Sequence, residues 1–495
     1  MVSIRTYRLL FGGLVVIAAL ILLAGHLGAG EADVAQLDGA EDAAPPADGI
    51  TVVATDSNVW LDEEAEGPRQ NAELVAFDED GDVMYYNDTY DRYWDVDPVP
   101  GEEYTVFYVA SEHLHRDECP ATTSCTDNVI KKHNISTGET EELYSRIVPF
   151  DEEHRFTDLE LWETRWHDAE LMEDGNILVA DIYLDRIVVI DPDTGIERWA
   201  WSAQDEYPIE GGGPFPRDWT HINTVEIVED DENFENTTYM ASLRNQDSVV
   251  FVDEEVGYLE DWTLGEDGDR DILFEQHNPD YIPEAQGGPA VVVADSESNR
   301  VVEYQRVDGE WEQTWEWSDA RMQWPRDADR LPNGNTLITD SHGDRVLEVN
   351  PEGEVVWEAD VPFPYDAERL GTGPGSTGGE SAESLGLESR EAAEDPEIGG
   401  SPGGILAALW VYARSILPGR VVSGVMYTVP FWVGPREGLA AIVLVGSLVV
   451  WPAIEWRKSS YSLALRSPVS LRQDGEDEDR TPDRNRSRDD TQDAE

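Results

Sequence analysis

The sequence predicts an all-β chain, a six-bladed β-propeller with N- and C-terminal transmembrane helices. Three observations predict it: a β-rich unit that recurs six times, Asp- and Gly-bearing turns inside each unit, and two long apolar segments flanking the repeats. Each unit has a first Val/Ile/Tyr-rich run. These are ITVVATD from Ile50, YTVFYVA from Tyr104, ILVAD from Ile177, TTYMAS from Thr237, AVVVAD from Ala290 and TLITD from Thr336. A second run ends in a turn: LVAFDEDG from Leu74, VIKKHNISTG from Val129, IVVIDPDTG from Ile187, VVFVDEEVG from Val249, VVEYQRVDG from Val301 and VLEVNPEG from Val346. The second runs start 45 to 62 residues apart, which suits four-stranded blades. Trp199, Trp262, Trp315 and Trp357 recur on the outer strand, where large rings can pack between sheets. A period-2 pattern excludes helical repeats, and a two-sheet sandwich would not repeat one unit six times.

In chain order, residues 1–30 form the first anchor. Leu9 to Leu27 is apolar, and Arg5 and Arg8 precede it, so the N-terminus should stay inside; a cleaved signal peptide is the alternative. Residues 31–49 are a linker, and 50–365 the propeller. Residues 366–404, rich in Gly, Ser, Glu and Pro, read as a flexible linker. Residues 405–456 are a hydrophobic membrane region. Gly438 to Ile454 is uncharged and is followed by Arg457 and Lys458, while Ile405 to Val433 is interrupted by Arg414, Pro418, Arg420 and Pro430. The tail, 457–495, reads as charged and disordered. This topology places the propeller on the extracellular side of the cell membrane. Cys119 and Cys125 suit a small loop disulfide, and sequons at Asn87, Asn134 and Asn236 suit an external face.

The 495 residues carry 105 Asp and Glu against 34 Lys and Arg, a formal charge of −71, and only Lys131, Lys132 and Lys458 are lysines. No dense basic stripe exists to neutralise phosphates, so nucleic acid is excluded as a partner. The acid is spread along the whole chain, which fits solubility in concentrated salt and a salt-loving source.

Function should lie where inner strands meet the central channel. His167, His221 and His277 open their blades at one repeat position, and Arg326 takes that place in the last blade. Arg186, Arg244, Arg300, His342 and Arg345 follow the first run of each blade, where the chain turns sharply. Imidazoles and guanidiniums gathered in so acidic a protein suit an oxyanion such as sulfate, phosphate or carboxylate. Arg186, Arg300 and Arg345 have a plainer reading as ion pairs with Asp181, Asp295 and Asp340, preferred here for Arg186 and Arg345. His113, His115, His133 and His154 fall in loops or outer strands. Nucleotide-phosphate loops, nucleophile elbows and zinc-protease motifs are absent. Zinc or copper on the histidines and calcium on the acidic turns are weaker readings.

At these residues the sequence resembles the arylsulfotransferase family, the type that uses aryl sulfates rather than a nucleotide donor, as a membrane-anchored, haloarchaeal-type member. HINTV with TTYMASLRNQDSVVFVD, QHNPDYI with VVVADSESNRVVEY, and NTLITDSHGDRVLEVN carry the resemblance. It implies channel histidines at His221 and His277, a channel arginine at Arg300, and a histidine that becomes sulfated at His342. It also implies an aryl sulfate donor, a phenolic or other hydroxyl acceptor, and no cofactor or metal. The competing expectation is a non-catalytic, membrane-anchored scaffold or glycan-binding module. A third is a quinone-cofactor dehydrogenase, whose propellers usually have eight blades. Convergence of His221, His277, Arg300 and His342 in one pocket would favour the enzyme.

Overall fold

In the computed structural model, which describes residues 4–29, 40–57, 72–114, 118–119, 124–150, 164–216, 218–228, 231, 233–392, 408, 410–412, 417–430 and 432–458, the β-rich region closes into a ring of six antiparallel sheets. Blade 1 is assembled from both ends of the ring. Thr51–Thr55, Leu74–Phe77 and Val83–Asn87 are its outer three strands, and Pro364–Arg369 is its innermost. Blade 2 runs from Arg92–Pro98 to Glu139–Phe150, blade 3 from Ala169–Leu171 to Ile196–Ser202, and blade 4 from Ile222–Val228 to Leu264–Gly265. Blade 5 runs from His277–Ile282 to Glu310–Trp317, and blade 6 from Pro325–Arg330 to Val355–Asp360.

The core is a set of junctions between blades. Six apolar clusters lie one at each junction; Trp94, Phe107 and Ile130 of blade 2, for example, meet Ile177 and Val188 of blade 3. The middle strands are buried on both faces, which is why ILVAD and AVVVAD are nearly unbroken apolar runs. Trp199, Trp315 and Trp357 sit on outermost strands, and their indole N–H groups donate to Glu254, Glu388 and Pro45 carbonyls at 3.0, 3.2 and 2.8 Å. Trp262 departs from this pattern. It lies in a short 3-10 turn, Glu260–Trp262, because the outer strand of blade 4 is split into two pieces.

The closing strand corrects the boundary placed at 365. PYDAER alternates charge rather than apolar residues, so it gave no apolar strand signal, yet Thr51–Thr55 pairs with it from Thr51↔Arg369 onward. Residues 370–392 are not a free tether either. A short helix α2, Ala382–Leu385, is capped by Ser381, the Ala382 N–H donates to Glu303 at 2.7 Å, and Arg390 bridges to Trp317. Residues 393–404 and the tail from 459, with the expectations made of them, lie outside the described residues. His115 and His154 lie there too. Cys119 and Cys125 are joined in a disulfide.

Helix α1, Ile4–Ala29, and helix α4, Pro435–Lys458, each contain 22 residues apolar enough to cross a membrane. They pack side by side, with Phe11 on Trp451 at 6.3 Å and Arg8 paired with Glu455 at 2.5 Å. Between α4 and the propeller lies helix α3, Gly419–Thr428.

Candidate functional site

Antiparallel blades put two repeat positions at one end of the channel: the residue that leads into the innermost strand, and the turn joining the second strand to the third. The turns are alike because a residue in the left-handed region ends each of them. Asp185, Asp247, Asn299 and Asp344 have φ of 52°, 49°, 57° and 54°, a region that Asn and Asp tolerate better than most residues. Each then reaches the next blade. Asp185 accepts from Thr220 N at 3.1 Å, Asp247 from Glu275 N at 2.9 Å, Asn299 from Trp324 N at 3.0 Å, and Asp344 from Phe363 N at 3.0 Å. These bonds fix the lead-ins that carry the site. They also hold His221, Trp324 and Phe363 at φ of 49°, 55° and 50°, a strained choice that costs about 1–3 kcal/mol each.

The side chains at these two positions meet. His167 stacks on Trp94 at 3.9 Å between ring centres and lies 5.0 Å from His221. Tyr365 bridges His167 and His277 at 5.9 and 6.2 Å, while Trp324 bridges His277 and His342 at 5.9 and 4.4 Å. All four imidazoles are at most 6% exposed. Arg326 lies over Trp324, Phe363 and Tyr365 at 4.9, 5.0 and 4.5 Å, and shares Asp56 with Arg92. Thus His221, His277 and His342 converge, together with His167, Arg326 and Arg244.

Arg300 does not join them. Its Nε binds Asp295 at 2.7 Å, Nη1 binds Glu316 at 2.9 Å, and Nη2 donates to the Ile272 carbonyl at 3.1 Å. This repeats the pairs Arg186–Asp181 and Arg345–Asp340, at 2.9 and 2.8 Å. The physical reason is register. Arg300 faces Asp295 across the second and third strands, as Arg186 faces Asp181 and Arg345 faces Asp340. Asp295 also accepts from Phe274 N at 2.7 Å, so Arg300 holds the segment that leads to His277. The guanidinium in the corresponding turn of blade 4 is Arg244, which follows Leu243 as Ser341 follows Asp340, one residue before the place of His342.

Hydrogen bonds set the imidazole tautomers. His221 Nδ1 faces Asp218 at 2.5 Å and its Nε2 faces Arg244 at 3.0 Å; because Arg244 can only donate, Nε2 accepts and Nδ1–H donates. His277 Nδ1 donates to the Glu275 carbonyl at 3.1 Å and meets Ser296 Oγ at 2.8 Å, leaving Nε2 as the basic nitrogen. Burial, with His221, Arg165 and Arg326 nearby, holds His167 well below the ordinary imidazole range. Burial with Arg326 and Arg244 does the same to His277. Both imidazoles are therefore neutral near pH 7. Burial would raise the Asp218 carboxyl, but His221 and Arg244 beside it hold it below the ordinary range. Burial and neighbouring Glu275 push Glu297 up to about 7.

A cavity of about 710 Å³ opens beside these groups, lined by Asp218, Arg244, Glu275, Glu297, Trp324 and Tyr427 among others. Helix α3 covers it. Arg420 pairs with Glu275, and the Tyr427 ring lies 6.3 Å from His342 and 5.6 Å from Phe363. Of the remaining histidines, His113 binds Asp91 at 3.1 Å, His133 binds Thr140 at 2.6 Å on an outer strand, and His26 lies 5.5 Å from Trp432. Sequence reasoning missed Arg92, Tyr365 and Tyr427. Arg92 opens blade 2 in RYWDVDP five residues before Asp97, as His221 lies five before Glu226, a signal that was present in the repeat.

Residues 80–361 match the profile of the family described as Arylsulfotransferase (ASST). No curated protein matches the sequence. Similar solved structures include a Bacteroides caccae protein of unknown function, 12% identical over 65% of this chain and 98% of that chain, with a TM-score of 0.40. A periplasmic gluconolactonase of Pseudomonas aeruginosa is 13% identical over 66% and 99%, with a TM-score of 0.40. Virginiamycin B lyase from Staphylococcus aureus is 10% identical over 62% and 83%, with a TM-score of 0.34.

Proposed function

The chain belongs to the arylsulfotransferase (ASST) family, and from that premise we propose that it moves a sulfuryl group from an aryl sulfate to a hydroxyl acceptor through a sulfohistidine. The observation that carries this reading is the convergence of His342 with neutral imidazoles and two guanidiniums in one buried mouth. A nitrogen lone pair of His342 attacks sulfur, the sulfur–aryl oxygen bond breaks, and the phenolate leaves with the bonding electrons. Arg326 and Arg244 balance the charge on the sulfuryl oxygens in place of Arg300, which acts as a positioning residue for the His277 segment. In the second half the basic Nε2 of His277 takes the acceptor's proton, the acceptor oxygen attacks sulfur, and the nitrogen–sulfur bond breaks. His221, locked between Asp218 and Arg244, orients Arg244.

Both apolar helices serve as anchors in this reading, with the propeller outside the cell and in high salt. Substrate must move α3, whose Tyr427 covers His342. The test is a release assay with a chromogenic aryl sulfate on the full chain at high salt, with and without added phenol. Release that depends on phenol supports the transferase. Release without it means a sulfatase, and no release in either case favours the anchored scaffold or glycan-binding module.

A further inference from the structure

Helix α3 has two faces of different chemistry. Arg420, Ser423, Gly424 and Tyr427 recur at helical spacing and line the cavity at the mouth. Arg420 pairs with Glu275, Ser423 Oγ donates to Glu297 at 3.5 Å, and Tyr427 covers His342. The other face carries Val421 and Val425, and Leu417 lies just ahead of the helix. These three are 55%, 53% and 48% exposed.

The composition here is as uneven as the burial. From Leu417 to Val433 the sequence holds no acidic residue, in a chain that has 105, and its single base is the paired Arg420. Elsewhere acid is spread along the whole chain. An uncharged stretch with an outward apolar face therefore marks contact with something other than water.

Chain continuity says what that contact is. Helix α4, one of the two candidate spans, begins at Pro435, soon after α3 ends at Thr428. Trp432, in the connection, lies 5.5 Å from His26, near the propeller-side end of α1. Tryptophan at the end of a span marks the boundary between membrane and water. The four residues from Thr428 to Trp432 reach at most about 14 Å, so α3 stays beside that boundary. An amphipathic helix so placed lies in the interface with its apolar face toward the acyl chains.

The mouth beneath α3 then opens toward the bilayer, which bears on the acceptor. An anionic donor has Arg244 and Arg326 to hold it, whatever its source. A neutral hydroxyl acceptor gives those guanidiniums no charge to grip, so its affinity must come from apolar surface. Helix α3 and its connection to α4 supply that surface. Given sulfuryl transfer through His342, on which this depends, we propose that α3 rests in the membrane interface and that the acceptor is a membrane amphiphile. Its hydroxyl lies at headgroup level and enters the mouth beneath α3. His277 Nε2 takes the hydroxyl proton, the oxygen bonds to sulfur, and the nitrogen–sulfur bond to His342 breaks with its electrons returning to the imidazole. The product is an anionic sulfate ester that stays in the membrane.

The test uses the full chain in phosphatidylcholine vesicles at high salt, with para-nitrophenyl sulfate as donor. Two acceptors are compared, water-soluble phenol and membrane-bound para-dodecylphenol. The variant Val421→Asp with Val425→Asp charges the outward face of α3 and touches no group at the mouth. Transfer to dodecylphenol should follow its mole fraction in the lipid, so added lipid at fixed acceptor slows it. The variant should lower that transfer about tenfold or more and leave transfer to phenol within about twofold of wild type. Dodecylphenol transfer that ignores added lipid, or equal losses for the two acceptors, would overturn the proposal. A second readout needs no turnover. Cys119 and Cys125 are joined, so a bimane on Val425→Cys is the single label. Nitroxide lipids should quench it several-fold more than a bimane on Asp174→Cys, in an exposed turn at the far end of blade 3. Equal quenching at the two positions would overturn the interfacial placement. Phenol-dependent release with no response to dodecylphenol would overturn this inference alone, whereas release with neither acceptor would overturn the transferase reading as well.

Discussion

The two ends of the channel are built from the same six strands and carry opposite chemistry. At one end the lead-in residues are His167, His221, His277 and Arg326; one to five residues further along, the same strands present Asp168, Glu170, Glu226, Asp280, Asp327 and Asp329. An anion drawn to the guanidiniums at the mouth meets carboxylates immediately behind it. If the proposed transfer holds, the channel would act as a blind pocket rather than a passage, with field as well as shape keeping a sulfuryl group beside His342.

Substitutions at the two ends should differ most in their effect on turnover. His342→Asn should lower steady-state transfer by about 10³-fold or more, as loss of a covalent nucleophile does. Asp329→Asn, in the acidic half, should leave transfer within about threefold, because it touches no reacting atom. Next in size is a contrast between arginines. Arg244→Leu should cost about 10²–10³-fold in kcat/KM, the range for loss of a charge-stabilising donor. Arg300→Leu should lower the thermal midpoint through Asp295 while folded protein keeps most of its turnover. If Arg300→Leu alone proves inactive when folded, the positioning role assigned to it is wrong.

pH should separate the halves through stability. Burial raises Asp168, Asp366 and Asp280 to about 8, 7 and 6, with neighbouring acids adding to it at Asp168 and Asp366, against about 3.9 in an unfolded chain. Between about pH 4 and 8 the unfolded chain then binds fewer protons than the folded one, so this contribution is full at low pH and is lost as pH rises. Thermal midpoints should accordingly fall from pH 5 to pH 8, and fall less in Asp329→Asn with Glu368→Gln. The smallest effect concerns α3. Tyr427→Ala should lower the KM for a bulky aryl donor by a few-fold at similar kcat, and an unchanged KM would mean that the helix does not gate the mouth.

How legible this was depended on contrast with the background. The repeats stood out because middle strands such as AVVVAD are apolar in a chain that is mostly not. The convergence of His221, His277 and His342 followed from repeat position, since histidine is rare here. The acidic lining of the channel was invisible for the opposite reason: Asp97 or Glu226 is one carboxylate among 105 acidic residues, and only the three-dimensional ring distinguishes it. PYDAER was passed over as a strand because its alternation is charge against small or aromatic residues. Arg300 was placed in the channel by resemblance, although its register with Arg186 and Arg345 already argued for an ion pair. Arg244 lies in the turn of blade 4 that corresponds to the turn of His342, outside the strand register that pairs the other three arginines with aspartates, and was the better choice.

One measurement addresses the central claim most directly. Wild-type chain is incubated with a ³⁵S-labelled aryl sulfate in the absence of acceptor, and the labelled peptide is located. The account predicts acid-labile label on the peptide that contains His342, discharged on adding phenol and absent from His342→Asn. Turnover of the donor with no label on the protein, or undiminished label in His342→Asn, would contradict it.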